Sequence, residues 1–99
     1  MQLMTKEIEE ELKKYPLYSQ DGKKKKHFIC KFFNPYGAGT WLVSEGEKQE
    51  SGDWLFFGKV HLFETEWGYF TLSELESVKF PNGTPVIERD LHYNGEEEI

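Results

Sequence analysis

A single cysteine, Cys30, excludes an internal disulfide and any thiolate metal cage. No apolar run approaches the ~20 residues a bilayer span needs, and residues 1–12 carry acids where a signal peptide has a basic end and then an apolar stretch. A cytoplasmic protein with no membrane partner is expected. There is no G-x-x-x-x-G-K-[ST] loop, no G-x-G-x-x-G loop and no G-x-S-x-G elbow, so the usual phosphate cradles and esterase nucleophile are missing. No internal repeat occurs either. With 99 residues the chain is expected to be one domain, 1–99, too short for a two-lobed enzyme with a cleft between lobes. What it has in quantity is rings: 8 Phe, 5 Tyr and 3 Trp within a 37% apolar composition. So short a chain is expected to own more large rings than its interior can absorb, leaving some for binding.

Charge is unevenly placed. Residues 1–22 are net −2, residues 23–33 hold five lysines and no acid, and residues 34–99 are net −9. The tail Glu96 to Glu98 reads as a solvated, frayed end. Met4, Ile8, Leu12 and Tyr15 share a helical face, predicting a helix over Thr5 to Tyr15 with Thr5 as N-cap, lysines in its last turn and Pro16 as its stop. Gln20-Asp21-Gly22 is turn chemistry. Extended segments rich in aromatic and β-branched residues predict strands near His27–Phe33, Thr40–Glu45, Trp54–Glu64 and Trp67–Phe70, with Gly46 to Gly52 as a mobile hairpin loop. Thr71 to Glu74 is a capping box that opens a helix over Leu72 to Val78. Val86 to Tyr93 reads as a last strand. The expected fold is α+β: an antiparallel sheet of four to five strands with an N-terminal helix and a second short helix on one face, exposed rings on the other.

Candidate chemistry is sparse. His61 points away from Glu64 and Glu66 on an extended strand, so no metal site is expected from them. Cys30 between Ile29 and Lys31 reads as a buried thiol packing like alanine. The basic island Lys23, Lys24, Lys25, Lys26, with Phe28 and Lys31, has the cation-and-ring alternation of single-stranded nucleic-acid platforms, although the acidic remainder would repel a polyanion. Trp41, Trp54, Trp67, Tyr36 and Tyr69, near Glu45 and Glu66, could line a pocket or a protein interface. Arg89, the only arginine, is expected in a structural bidentate pair with Glu45, Glu66 or Glu76, or as an anion clamp.

Leu3-Met4-Thr5-Lys6-Glu7, Pro16-Leu17-Tyr18, Lys31-Phe32-Phe33-Asn34-Pro35, Thr40-Trp41, Leu55-Phe56-Phe57-Gly58-Lys59-Val60, Glu88-Arg89-Asp90-Leu91-His92 and above all Glu66-Trp67-Gly68-Tyr69-Phe70-Thr71-Leu72-Ser73-Glu74-Leu75-Glu76-Ser77 resemble a family of small bacterial proteins. It is a domain-of-unknown-function family of the DUF2958 type, whose members often lie on plasmids, conjugative elements and phages. The lysine run and the tryptophan at position 67 depart from its pattern. The resemblance assigns no activity to any residue; it implies an accessory gene of a mobile element in a bacterial host.

The expected function is a non-catalytic binding protein, an anti-defence inhibitor that occupies a host protein or sequesters a small ligand. The expected contacts are Tyr36, Trp41, Glu45, Trp54, Glu66, Trp67, Tyr69 and Arg89, with no catalytic residue, cofactor or metal. The alternative is a single-stranded nucleic-acid module built on Lys23 to Lys26, Phe28 and Lys31. A small hydrolase using His61, Glu66 or His92 is the third class. Composition and spacing leave the partner's identity and the oligomeric state open.

Overall fold

Thr5, extended at φ −129°, accepts a hydrogen bond from Ile8 N–H through its hydroxyl and starts α1 (Lys6–Leu12). The helix is shorter than its apolar period suggests. It ends before Lys13 and Lys14, which reach back to Glu10 and Glu11 at 2.9 and 3.0 Å. The computed structural model describes residues 1–97 and shows β1 (Cys30–Phe33), β2 (Thr40–Lys48), β3 (Trp54–His61), β4 (Thr65–Thr71), α2 (Leu72–Glu76) and β5 (Glu88–Arg89). All pair antiparallel in the order β4-β3-β2-β1-β5, so the fold is the expected α+β sheet with two short helices.

The helix face carries Cys30, Phe32, Val43, Trp54, Phe56 and Phe70, covered by Leu3, Met4, Ile8 and Leu12 from the N-terminal segment and by Leu75, Val86 and Ile87. Phe32 and Phe56 are completely buried, with ring centres 6.0 Å apart. At about 25 cal/mol per Å² of apolar surface, burial of each such ring contributes roughly 2–3 kcal/mol. Cys30 lies in this core, and burial pushes its thiol up to about 12, against a smaller lowering by Arg89. A thiol reagent at pH 8 is therefore expected to label the native protein at least ~100-fold more slowly than the urea-unfolded chain. Equal rates would place Cys30 at the surface.

Several boundaries differ from the sequence reading. Gly46 to Lys48 are strand, not loop. The reversal between β2 and β3 comes later, where Gln49 N–H bonds to Asp53 C=O at 2.7 Å. β1 begins at Cys30 rather than His27, β3 ends at His61, β4 is longer than Trp67–Phe70 at both ends, and the last strand shrinks to two residues. Thr71 caps α2 by accepting from Glu74 N–H at 3.2 Å. The Glu74 carboxylate takes the Thr71 hydroxyl instead of its N–H, so half of the expected capping box forms. Asp53 fixes the α2 start from across the sheet, accepting from Ser73 N–H at 3.1 Å and Ser73 Oγ at 2.6 Å.

One residue of β2 controls the two faces. Val43 pairs with Gly58 and Glu45 with Phe57, so Ser44 is an extra residue, a β-bulge. Without it Glu45 would point into the helix-face core. With it, Glu45 turns to the far face, and Gly46 turns inward against Phe56 and Leu12. Ser44 Oγ donates to Phe57 C=O at 3.0 Å.

Candidate binding face

The far face is built in cross-strand rows, because directly paired residues project the same way. Lys31, Leu42, Lys59 and Trp67 form one row; Glu45, Phe57 and Tyr69 form the next. Among the described residues no helix covers them. The irregular segment 17–28 crosses this face and Glu45 holds it, accepting from Tyr18 N–H at 2.7 Å and Gln20 N–H at 2.9 Å. Gln20, wholly buried, completes the clasp: its amide donates to Ser44 C=O and His27 C=O, both at 2.7 Å, and accepts from His27 N–H at 2.6 Å. These bonds answer the carbonyl that the bulge leaves unpaired in the sheet, which is why a charged and an amide side chain can lie buried here.

A second, smaller core results. Phe28, 3% exposed, stacks on Trp67 with centres 5.8 Å apart, Phe57 stacks on the same indole at 5.9 Å, and Leu42 is sealed beneath. The tail closes one side, since Glu97 pairs with Lys59 at 3.2 Å and the Tyr93 hydroxyl donates to Glu96 C=O. Glu96 and Glu97 are thus tied down rather than frayed, and Glu98 lies outside the described residues.

Three rings stay in solvent on this face: Tyr18 at 64% exposure, Tyr69 at 52% and Trp67 at 40%. Tyr18 sits at φ +73°, a left-handed conformation costing roughly 1 kcal/mol or more for such a side chain. The Glu45 carboxylate on its N–H holds it there. The Tyr69 phenol titrates above its usual range, first through a hydrogen bond shared with Tyr18, then through desolvation and the negative charges of Asp21 and Glu45. The two phenols therefore stand side by side next to the indole.

The expected site residues divide. Trp67, Tyr69 and Glu45 belong to the far face, Glu45 as a buried clasp rather than a contact. Trp54 is buried in the helix-face core and Trp41 is half-buried against it. Arg89, Phe32, Trp41, Val60 and Glu66 form one row on the helix face, which puts Arg89 and Glu66 four strand spacings apart, ~19 Å. Arg89 donates to the Gln2 and Leu3 carbonyls and, among the described residues, pairs with no carboxylate. The expected pair with Glu45, Glu66 or Glu76 is therefore replaced by a tether to the N-terminal segment. Tyr36, exposed, meets Phe80 edge-on at 5.0 Å in the turn after β1, away from the other rings.

The basic island is also rearranged. Lys23 to Lys26 lie in the irregular segment rather than on a strand, and Phe28 is buried rather than displayed. Lys31 pairs with Asp90 at 3.8 Å. Lys26 donates to the Gln20 and Lys23 carbonyls at 2.9 and 3.3 Å, its ammonium 5.6 Å from the Trp67 ring centre. Lys24, Lys25, Lys26, Phe28, Trp67 and Glu97 line a cleft of about 260 Å³. A base stacking on this indole would have to displace Lys26, and a phosphate would meet Glu97.

His61 Nδ1 lies 2.7 Å from Thr65 Oγ1, and among the described residues no group of three His, Cys, Asp or Glu side chains could hold a metal ion. No described helix is long and apolar enough to cross a membrane. Tyr18 and Gln20 were hidden in a segment that reads as turn. The signal for Tyr18 was an aromatic beside the turn residues; none marked Gln20.

The family model described as "Protein of unknown function (DUF2958)" matches residues 3–99. The chain belongs to that family. No curated protein and no solved structure matches it. The match spans the far-face rows, the clasp and both helices alike.

Proposed function

We propose that this DUF2958 protein is a non-catalytic binding protein that occupies a protein partner with the far face of its sheet. The observation that carries the reading is the exposed group Tyr18, Trp67 and Tyr69. Its rings are presented on strand and clasped loop, so they are pre-ordered and lose little entropy on binding. The three tryptophans do not converge on one concave wall, which favours a flat protein target over a sequestered small ligand. The resemblance to proteins of plasmids, conjugative elements and phages supplies the setting: a cytoplasmic accessory protein of a mobile element that blocks a component of host defence.

The test is capture from a bacterial host lysate by the immobilised protein and by its Tyr18→Ala/Tyr69→Ala variant, which leaves the stacked Trp67 in place. A protein retained by the first and lost by the second, with the variant's thermal unfolding little changed, supports the reading. Retention by both variants, or by neither, refutes it. Fluorescence anisotropy with a labelled single-stranded oligonucleotide separates the other class: salt-sensitive binding lost on removing Lys24 and Lys25 would transfer the function to the lysine cleft.

A further inference from the structure

We infer that two copies of this chain associate through their β4 edges, antiparallel and centred on Gly68, so that one sheet runs through both molecules. β4 is the long free edge of the sheet; the opposite edge, β5, has two residues. Among the described residues, β4 makes no main-chain hydrogen bond beyond its ladder with β3. Of the devices that usually blunt such an edge it has one, the charge of Glu66 on the helix face. Thr65 to Thr71 contains no lysine and no proline, and the sheet's bulge lies in β2.

The occupant follows from the sequence of the edge. Gly68 is the middle of seven residues, so a two-fold axis through it pairs the whole strand with itself. Trp67 then stands opposite Tyr69 of the second copy, Glu66 opposite Phe70 and Thr65 opposite Thr71, each twice. Trp67 with Tyr69 is an aromatic cross-strand pair, a favourable combination. The only charge in β4, Glu66, faces an apolar ring. The two Glu66 side chains are four residues apart along the ladder, ~13 Å, beyond the ~8 Å screening length at physiological salt.

The far faces of the two copies join edge to edge, leaving the tops of the rings uncovered. The inference does not depend on what those rings bind.

Sedimentation equilibrium of the purified protein up to about 0.1 mM, where an interface of micromolar affinity is well populated, is expected to show a dimer. The population should rise with added salt, because the −6 charge of each copy opposes association. Gly68→Lys is the decisive variant. A side chain at 68 meets nothing within 4 Å in the single chain, yet in the dimer two ammonium groups would face each other on the axis. It is expected to be monomeric with unchanged far-UV circular dichroism. Should it misfold, Tyr69→Glu places a carboxylate against the electron-rich indole of Trp67 of the second copy and adds to the charge that opposes association, and it is expected to give the same result. A monomeric wild type, or variants that dimerise as it does, overturns the inference.

Discussion

Gly58→Ala is expected to cost more than about 4 kcal/mol, enough to leave a domain of this size largely unfolded at 37 °C. A Cβ at position 58 would lie 1.8 Å from Leu42 C=O and 2.9 Å from its carbonyl carbon. These are backbone atoms of the neighbouring strand, so no side-chain rotation relieves the clash. β2 and β3 would have to separate beside the Ser44 bulge, losing ladder bonds and the alignment of Gly46 against Phe56. Gly68 is the internal control, because it pairs directly with Gly58 and a Cβ there meets nothing. Gly68→Ala is expected to stay within about 1 kcal/mol of wild type. Urea unfolding followed by circular dichroism measures both. Equal losses at the two positions would mean that the approach of β2 to β3 at the bulge is not what glycine 58 serves.

The second large effect is expected at Glu45. Removing its carboxylate in Glu45→Ala leaves the Tyr18 and Gln20 N–H groups without acceptors and loosens the clasp over the second core. With about 1–3 kcal/mol for each donor stranded away from water, the loss is expected near 3 kcal/mol. Glu45→Gln keeps one oxygen and the side-chain shape, and should lose about half as much. The Alanine variant should also release Tyr18 from its left-handed conformation and part the two phenols, returning the Tyr69 phenol toward its ordinary titration range. A spectrophotometric titration at 295 nm reads that change. If Glu45→Ala unfolds like wild type and Tyr69 titrates unchanged, the clasp is not held by this carboxylate.

Much of the fold was legible because it is written in local patterns. The Met4, Ile8, Leu12 period gave α1, and the Thr5 and Thr71 hydroxyls gave two helix starts. Ring-rich extended runs gave four strands. What was not legible depends on residues far apart in the chain. The bulge at Ser44 reverses which side chains face inward, and nothing in Val43-Ser44-Glu45-Gly46 announces it. The imperfect alternation there was visible, but Gly46 read as the start of a turn because its inward position exists only once the extra residue is counted. The segment before Cys30 reads as strand because Phe28 and Ile29 suit one. Gln20 instead bonds across to His27 and draws that stretch over the sheet. Arg89 invited a carboxylate, and the row carrying it put Glu66, the expected partner in that row, four strand spacings away. Of the candidate site, Trp67 and Tyr69 could be read from their alternation on one strand. Tyr18 reached them only through a buried glutamate 27 residues away.

Both faces of the central meander, residues 40–71, are shielded in part by chain that precedes it: α1 on one side, where Leu75, Val86 and Ile87 complete the cover, and segment 17–28 on the other. During synthesis these shields leave the ribosome first, before the surfaces they fit exist. Leu3, Ile8, Leu12 and Phe28 must therefore wait as exposed apolar chain until Thr71 has emerged and the three strands can close. The vulnerable interval in the life of this molecule belongs to its first thirty residues, although its most demanding packing lies in the middle.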